Sequence, residues 1–124
     1  MILVDTSVWV DHLRSGVGEL MKLLDEELVV MHSAILGELA CGSLSERAKR
    51  IEDWKTLPSI SEFNNGDALA LIEDKGLMSR GIGLVDVHLL CSVLNHSGSK
   101  LWTRDRRLRT IAQELSISFS EQVV

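Results

Sequence analysis

Three short apolar runs, separated by stretches with helical periodicity, constrain the fold of this chain most strongly. They are ILVD, LVVM and KLWT, at residues 2–5, 28–31 and 100–103. Strands that alternate with helices are joined by crossover connections, which place neighbouring strands parallel. The pattern therefore predicts an α/β protein with a short, mostly parallel central sheet flanked by helices. Weaker runs at 59–63 and 117–120 are further strand candidates.

Apolar spacing, caps and glycine stops predict the helices between these strands. Ser33 is expected to cap the helix AILGELACGS, and Gly42 to end it. No internal repeat or linker interrupts the chain, so residues 1–124 are expected to form a single domain. The predicted helical segments are 6–14, 20–24, 34–43, 45–55, 83–98 and 105–115, and the stretch 64–81 is predicted as a turn, a helix and a glycine stop.

Composition narrows the classes of function. A formal net charge of −5 argues against a broad basic face for nucleic acid, although five bases fall within residues 100–109. The first apolar run lacks the basic start of a signal peptide, and no segment resembles a membrane span, so a cytoplasmic protein is expected. Cys41 and Cys91 are expected to be buried free thiols, and the histidines lack the spacing of zinc ligands.

Four acids stand where carboxylates are uncommon. Asp5 and Asp105 each follow a predicted strand and precede a helix, so each can equally be a helix cap. Asp86 shares a helix face with apolar residues, or is a first-turn acid that interacts with the helix dipole. Glu38 is in the middle of a helix and is predicted to lie on its buried face, with a salt bridge as the alternative.

These acids predict a metal site. Ligands of open α/β sheets bind beyond the carboxyl ends of the strands, where Asp5 and Asp105 are expected. Carboxylates that converge resist ionising together, and Mg²⁺ or Mn²⁺ removes the conflict because these ions favour oxygen ligands. Thr6, Ser7 and Thr103 accompany the acids, either as local caps or as groups that orient carboxylates and bound water.

The ordered motifs DTS, GEL, GIGLVD and WTRDRRL resemble those of the PIN-domain ribonucleases. The similarity is greatest to the VapC-type toxins of toxin–antitoxin pairs, and it covers essentially the whole chain. This resemblance implies a three-layer α/β/α fold and a Mg²⁺- or Mn²⁺-dependent endoribonuclease. The implied catalytic acids are Asp5 and Asp86 as direct metal ligands, with Glu38 and Asp105 binding a second ion or holding bound water. Thr103 would support Asp105, and Thr6 or Ser7 would support Asp5.

The resemblance also implies partners. VapC-type toxins cut RNA, are bound by a small antitoxin and commonly form homodimers. Arg104, Arg106 and Arg107 become candidates for steering RNA, with a solvated helix face as the alternative. The apolar first helix and the helix Leu20–Leu24 are candidates for an antitoxin groove, although core packing explains them equally well.

Two departures from the family pattern concern packing and pocket shape. Leu108 stands where an aromatic residue is common, and larger residues follow the third acid at Val87, His88 and Leu89. His88 is expected to be an ordinary surface histidine rather than a substrate contact. Neither departure removes an acid of the implied site.

Other functions remain open at this point. A phosphatase that uses Asp5 as nucleophile needs a second aspartate two residues on, where Ser7 stands. A response-regulator receiver needs a lysine after a late strand, but Lys100 begins its strand. A housekeeping PIN nuclease and a PIN-like module that binds RNA or protein without cutting are the remaining alternatives.

Overall fold

The computed structural model describes residues 1–122 and contains a three-stranded sheet between helices. Its strands are β1 (Ile2–Val4), β2 (Val29–Val30) and β3 (Lys100–Trp102). The helices within the described residues are α1 (Thr6–Ser15), α2 (Gly18–Asp25), α3 (Ser33–Ala40), α4 (Arg47–Lys55), α5 (Asn65–Lys75), α6 (Leu84–Leu94) and α7 (Arg106–Glu114). The predicted α/β/α class with a parallel central sheet is confirmed.

Strand order decides where a site can form. The order is β2-β1-β3, and both strand pairs are parallel. The chain leaves the central strand β1 towards β2 and later crosses to the opposite side to add β3. This reversal of direction opens a crevice beyond the carboxyl ends of the strands. Asp5 and Thr103, which directly follow β1 and β3, lie at this edge.

The core explains why such short strands are stable. All three residues of β1 are buried, and the side chains of Leu3, Trp102 and Leu108 are fully enclosed. Leu108, the position where the family favours an aromatic residue, is therefore a packing residue. Burying side chains of this size contributes about 1.5–3 kcal/mol each relative to exposure.

Several local predictions were wrong. The runs 59–63 and 117–120 do not form strands. Each makes a single parallel bridge to a neighbouring segment, Ser59 with Met31 and Ser118 with Leu101. The Nδ1 atom of His32, rather than the hydroxyl of Ser33, caps α3. The hydroxyl of Ser33 instead donates to Glu62.

Two further expectations need correction. The predicted helix to Gly98 ends as α6 at Leu94, because the backbone leaves helical geometry at Asn95. Cys41 is exposed at the end of α3, whereas Cys91 is buried as expected, and both thiols are free. No helix within residues 1–122 combines the length and the apolarity that crossing a membrane requires.

Candidate active site

Asp5 is the most enclosed of the predicted site acids. Its side chain is 7% exposed, and both of its carboxylate oxygens accept hydrogen bonds. Oδ2 accepts from the hydroxyls of Thr103 (2.7 Å) and Ser7 (3.3 Å), and Oδ1 accepts from the backbone N–H of Thr6 (2.8 Å). Burial raises the pKa of Asp5, and the bonds from Thr103 and Thr6 offset part of that effect.

The two hydroxyls that face Asp5 are themselves fixed by the turn between β3 and α7. The Ser7 hydroxyl accepts the backbone N–H of Arg104 at 3.0 Å, and the Thr103 hydroxyl accepts that of Asp105 at 3.1 Å. Because each oxygen accepts from this turn, its own proton is directed to Asp5. The backbone of the turn therefore sets the orientation of the Asp5 carboxylate.

Glu38 lies at the rim of the site. It projects from α3 and is exposed, so its prediction as a buried-face residue was wrong. The hydroxyl of Thr6 donates to its Oε1 at 2.8 Å and links α1 to α3. The two hydroxyls of the DTS motif therefore differ in role, with Ser7 bonded to Asp5 and Thr6 to Glu38.

Asp86 stands in the first turn of α6 and is half-buried. Its Oδ2 accepts the backbone N–H of Gly83 at 3.1 Å. Burial raises the pKa of Asp86, the Gly83 bond lowers it, and repulsion from Asp5, Asp105 and Glu38 raises it further. All three other acids therefore stand close enough to Asp86 to disfavour its ionised form.

Asp105 caps α7 and is exposed. Its Oδ1 accepts the backbone N–H groups of Arg107 (3.0 Å) and Leu108 (3.1 Å). The capping role proposed from sequence is therefore present. It occupies one oxygen only, so it leaves the charge of Asp105 available to the same site as Asp86.

The donor set suits a hard divalent cation. The side-chain hydrogen bonds within residues 1–122 engage one oxygen of Glu38, of Asp86 and of Asp105, and leave the other to the site. Across that described part of the chain, no three His, Cys, Asp or Glu side chains form a ready-made metal cage. Mg²⁺ commonly keeps several waters and takes only one or two carboxylates, so binding it does not require such a cage.

The three arginines proposed to steer RNA have different surroundings. Arg106 and Arg107 are exposed on the first turn of α7. The side chain of Arg107 lies across Gly81, where a Cβ atom would come within 2.6 Å of it. Arg104 instead binds two carboxylates, those of Glu121 and Asp11.

Sequence reasoning did not single out Glu121. Its carboxylate receives Arg104 and the indole N–H of Trp102, both beside the site. The alternation of Ile117, Phe119 and Glu121 was an available signal, because alternate residues of an extended tail share one side. His88, expected at the surface, is half-buried and bonds Asn65 through Nε2 at 2.7 Å.

Comparison with known proteins agrees with this geometry. The model of the PIN domain family matches residues 2–114, so the chain belongs to the PIN-domain family. Its relatives include Ribonuclease VapC32 of Mycobacterium tuberculosis, from strains CDC 1551 / Oshkosh and ATCC 25618 / H37Rv. Each is 37% identical over 123 residues, with 99% of both chains covered. The predicted resemblance to VapC-type PIN ribonucleases is confirmed.

Proposed function

We propose that this chain is a metal-dependent endoribonuclease of the VapC toxin type, with residues 1–124 forming one PIN domain. The observation that carries the proposal is the mutual placement of four acids. Asp5, Glu38 and Asp105 all raise the pKa of Asp86, as expected for carboxylates that share one ionic ligand. The family membership and the ribonuclease relatives support the same activity.

Asp5 and Asp86 are proposed as direct ligands of Mg²⁺ or Mn²⁺. Burial makes their ionised forms costly, and a cation offsets that cost most where water is excluded. Glu38 and Asp105 would bind a second ion or hold metal-bound waters, because both are exposed at the rim. A bound ion of this kind would supply an activated water at neutral pH and would offset charge on the scissile phosphate.

The chain's own residues orient the site and attract the substrate. Thr103 and Ser7 direct their protons to Asp5, which opposes the rise in its pKa caused by burial and holds the carboxylate in one orientation. Arg106 and Arg107, exposed beside Asp105, are proposed to draw the RNA backbone to the acids. Arg104 is excluded from this role by its two carboxylate partners.

A small antitoxin is proposed as the partner, and the chain is proposed to act in the cytoplasm as a homodimer. Part of the predicted antitoxin groove belongs to the hydrophobic core instead, because Val8, Trp9, Leu20 and Leu23 are buried. Val10 and Leu13 instead line a cavity of about 340 Å³ that reaches Glu38. An antitoxin segment in this cavity would lie beside Glu38.

The test is cleavage of a mixed RNA substrate by the purified chain, with Mg²⁺ or Mn²⁺ and with EDTA. We expect internal cleavage that requires the metal and is lost in Asp86→Asn. Asp74→Asn is the matched control, because it removes the same charge from an exposed side chain of α5 that pairs with Lys75 at the surface. Cleavage in EDTA, or full activity of Asp86→Asn, would contradict the proposal, and RNA retention without cleavage would indicate a binding module.

A further inference from the structure

Arg104 is held by charge on two sides. Its Nε and Nη2 donate to the two carboxylate oxygens of Glu121, at 2.6 and 3.0 Å, and its Nη1 donates to Asp11 at 2.9 Å. Two carboxylates pair with this one guanidinium, so its positive charge is compensated by theirs. Arg104 is therefore joined to α1 on one side and to the carboxyl-terminal segment on the other.

Glu121 is the centre of this arrangement. Besides its bidentate bond to Arg104, its Oε1 accepts the indole N–H of Trp102 at 2.7 Å. Trp102 ends β3 and is fully buried. Bidentate pairs between Arg and a carboxylate fix geometry as well as adding energy. Glu121 thus ties the rigid end of β3 to the turn that follows it.

That turn also sets the orientation of Asp5. Arg104 stands between Thr103 and Asp105, and its backbone N–H donates to the Ser7 hydroxyl. The hydroxyls of Ser7 and Thr103 donate in turn to Asp5. A continuous series of hydrogen bonds therefore runs from Glu121 through Arg104 and Ser7 to the buried carboxylate.

We propose that Glu121 is a positioning residue, which clamps Arg104 so that the β3–α7 turn presents Ser7 and Thr103 to Asp5. This role rests on the proposed function, because Asp5 is there a metal ligand. Arg104 supports the site from behind and does not contact RNA. Loss of the clamp lowers the turnover and the metal affinity, and it leaves RNA binding unchanged.

The test compares Glu121→Gln with Glu114→Gln. Glu114 also makes a bidentate pair, with Arg80 at 3.1 and 2.6 Å, so the control removes the same charge and the same type of contact. In Glu121→Gln we expect kcat for RNA to fall about 10–100-fold, the typical effect of losing a group that orients a metal ligand. KM for RNA should stay within about threefold, and Glu114→Gln should match the wild type in both constants.

Two readouts do not depend on activity. The first is hydrogen exchange of the backbone N–H groups of Arg104 and Asp105, which should be faster in Glu121→Gln than in Glu114→Gln. The second is the rise in melting temperature on addition of Mn²⁺, which should require more metal in Glu121→Gln. The indole N–H resonance of Trp102 reports directly that the clamp has opened.

Several results would overturn the proposal. Unchanged exchange of the two amides, with a shifted Trp102 resonance, would show that the turn does not need Glu121. A lower KM and faster cleavage in Glu121→Gln would show that the tail covers Arg104 instead of positioning the turn. If Glu121→Gln fails to fold, Arg104→Lys keeps the positive charge but loses the bidentate bond. It should lower kcat, and a rise in KM alone would contradict the role.

Failure of the proposed function would be visible separately. If the wild-type chain cuts no RNA, the ribonuclease assignment fails, but the amide exchange and the metal response still test the clamp. Cleavage by the wild type, together with identical behaviour of Glu121→Gln and Glu114→Gln, would overturn the clamp alone.

Discussion

Asp5 and Asp105 occupy the same place in two strand–helix units, yet their surroundings differ. Each lies between a strand and a helix and caps that helix by accepting backbone N–H groups, one at Asp5 and two at Asp105. Asp5 is enclosed, with hydroxyl donors on one oxygen and the cap on the other, whereas Asp105 is exposed and uses one oxygen only. Capping therefore leaves each carboxylate an oxygen for other contacts, and we expect burial to decide how strongly each needs a cation.

The largest expected effect separates these two acids directly. Asp5→Asn should lower RNA cleavage by more than about 100-fold, because a neutral amide is a poor ligand for Mg²⁺ or Mn²⁺. Asp105→Asn should cause a smaller loss, since its carboxylate is proposed to act through a second ion or through water. Initial rates at saturating metal measure both losses, and thermal melting checks that each variant is folded. A greater loss in Asp105→Asn would reverse the assignment.

Removing a hydroxyl donor tests whether the hydrogen bonds to Asp5 are needed for cleavage. Thr103→Val keeps the size of the side chain but removes its bond to Asp5, so cleavage should fall about 10–100-fold. Stability should fall by about 1–3 kcal/mol, because buried polar groups lose their partner. Thr110→Val is the matched control, since its hydroxyl bonds only the Arg106 carbonyl within α7. Equal behaviour of the two variants in cleavage and in urea unfolding would contradict the role of Thr103.

The buried acids should also govern how stability depends on pH. The pKa values of Asp5 and Asp86 are raised above the ordinary value for aspartate, mainly by burial. The folded state favours the protonated form of each carboxyl group. Their contribution to folding stability is therefore fully present below the ordinary pKa of aspartate, and it is lost as the pH rises through the raised pKa. In EDTA at neutral pH, Asp86→Asn should therefore melt at a higher temperature than the wild type.

Metal should reverse that order. Mn²⁺ should raise the melting temperature of the wild type and leave that of Asp86→Asn nearly unchanged, because ligand binding stabilises the fold that holds the ligand. Differential scanning fluorimetry across pH and metal concentration measures both effects. A metal-free Asp86→Asn that melts below the wild type at neutral pH would contradict the cost assigned to burial.

The smallest expected effect isolates the cap of α7. Asp105→Ala should lower the free energy of unfolding by about 1 kcal/mol, the usual cost of a lost N-cap. Asp105→Asn should keep most of that stability, because an amide oxygen still accepts the N–H groups of Arg107 and Leu108. If both variants unfold alike but cut RNA differently, capping and catalysis at Asp105 are separate properties.

Local sequence patterns predicted most of the strands and helices but failed for the two runs that lie outside the three-stranded sheet. Periodicity and β-branched runs identified the three strands of the sheet and the helices between them, since both signals act over a few residues. The runs 59–63 and 117–120 failed as strands, because a strand exists only where a neighbour pairs along its length. Their partners are Met31, which directly follows β2, and Leu101 in the middle of β3, and each run forms a single bridge there.

The candidate site divides in the same way. The four acids were recognisable from the sequence because charged residues are uncommon in apolar segments and at the ends of buried strands. Their roles as metal ligands remain predictions. The exposure of Glu38 was not predictable, because a helix wheel identifies a face but not what covers it. Nor was the partner of each hydroxyl in the DTS motif, since Thr6 bonds Glu38 across two helices while Ser7 bonds Asp5.

By itself the sequence determined the alternation of strands and helices and the parallel sheet that follows from it. It also determined that four acids stand at strand ends or within helices, where carboxylates are uncommon. Only the tertiary structure decided that Arg104 binds Glu121 and Asp11 instead of facing solvent. The physical reason is the distance along the chain over which each interaction acts. Helix and strand preferences depend on nearby residues, whereas Ser7 meets the backbone of Arg104 across 97 positions of the chain, through the register of β1 with β3.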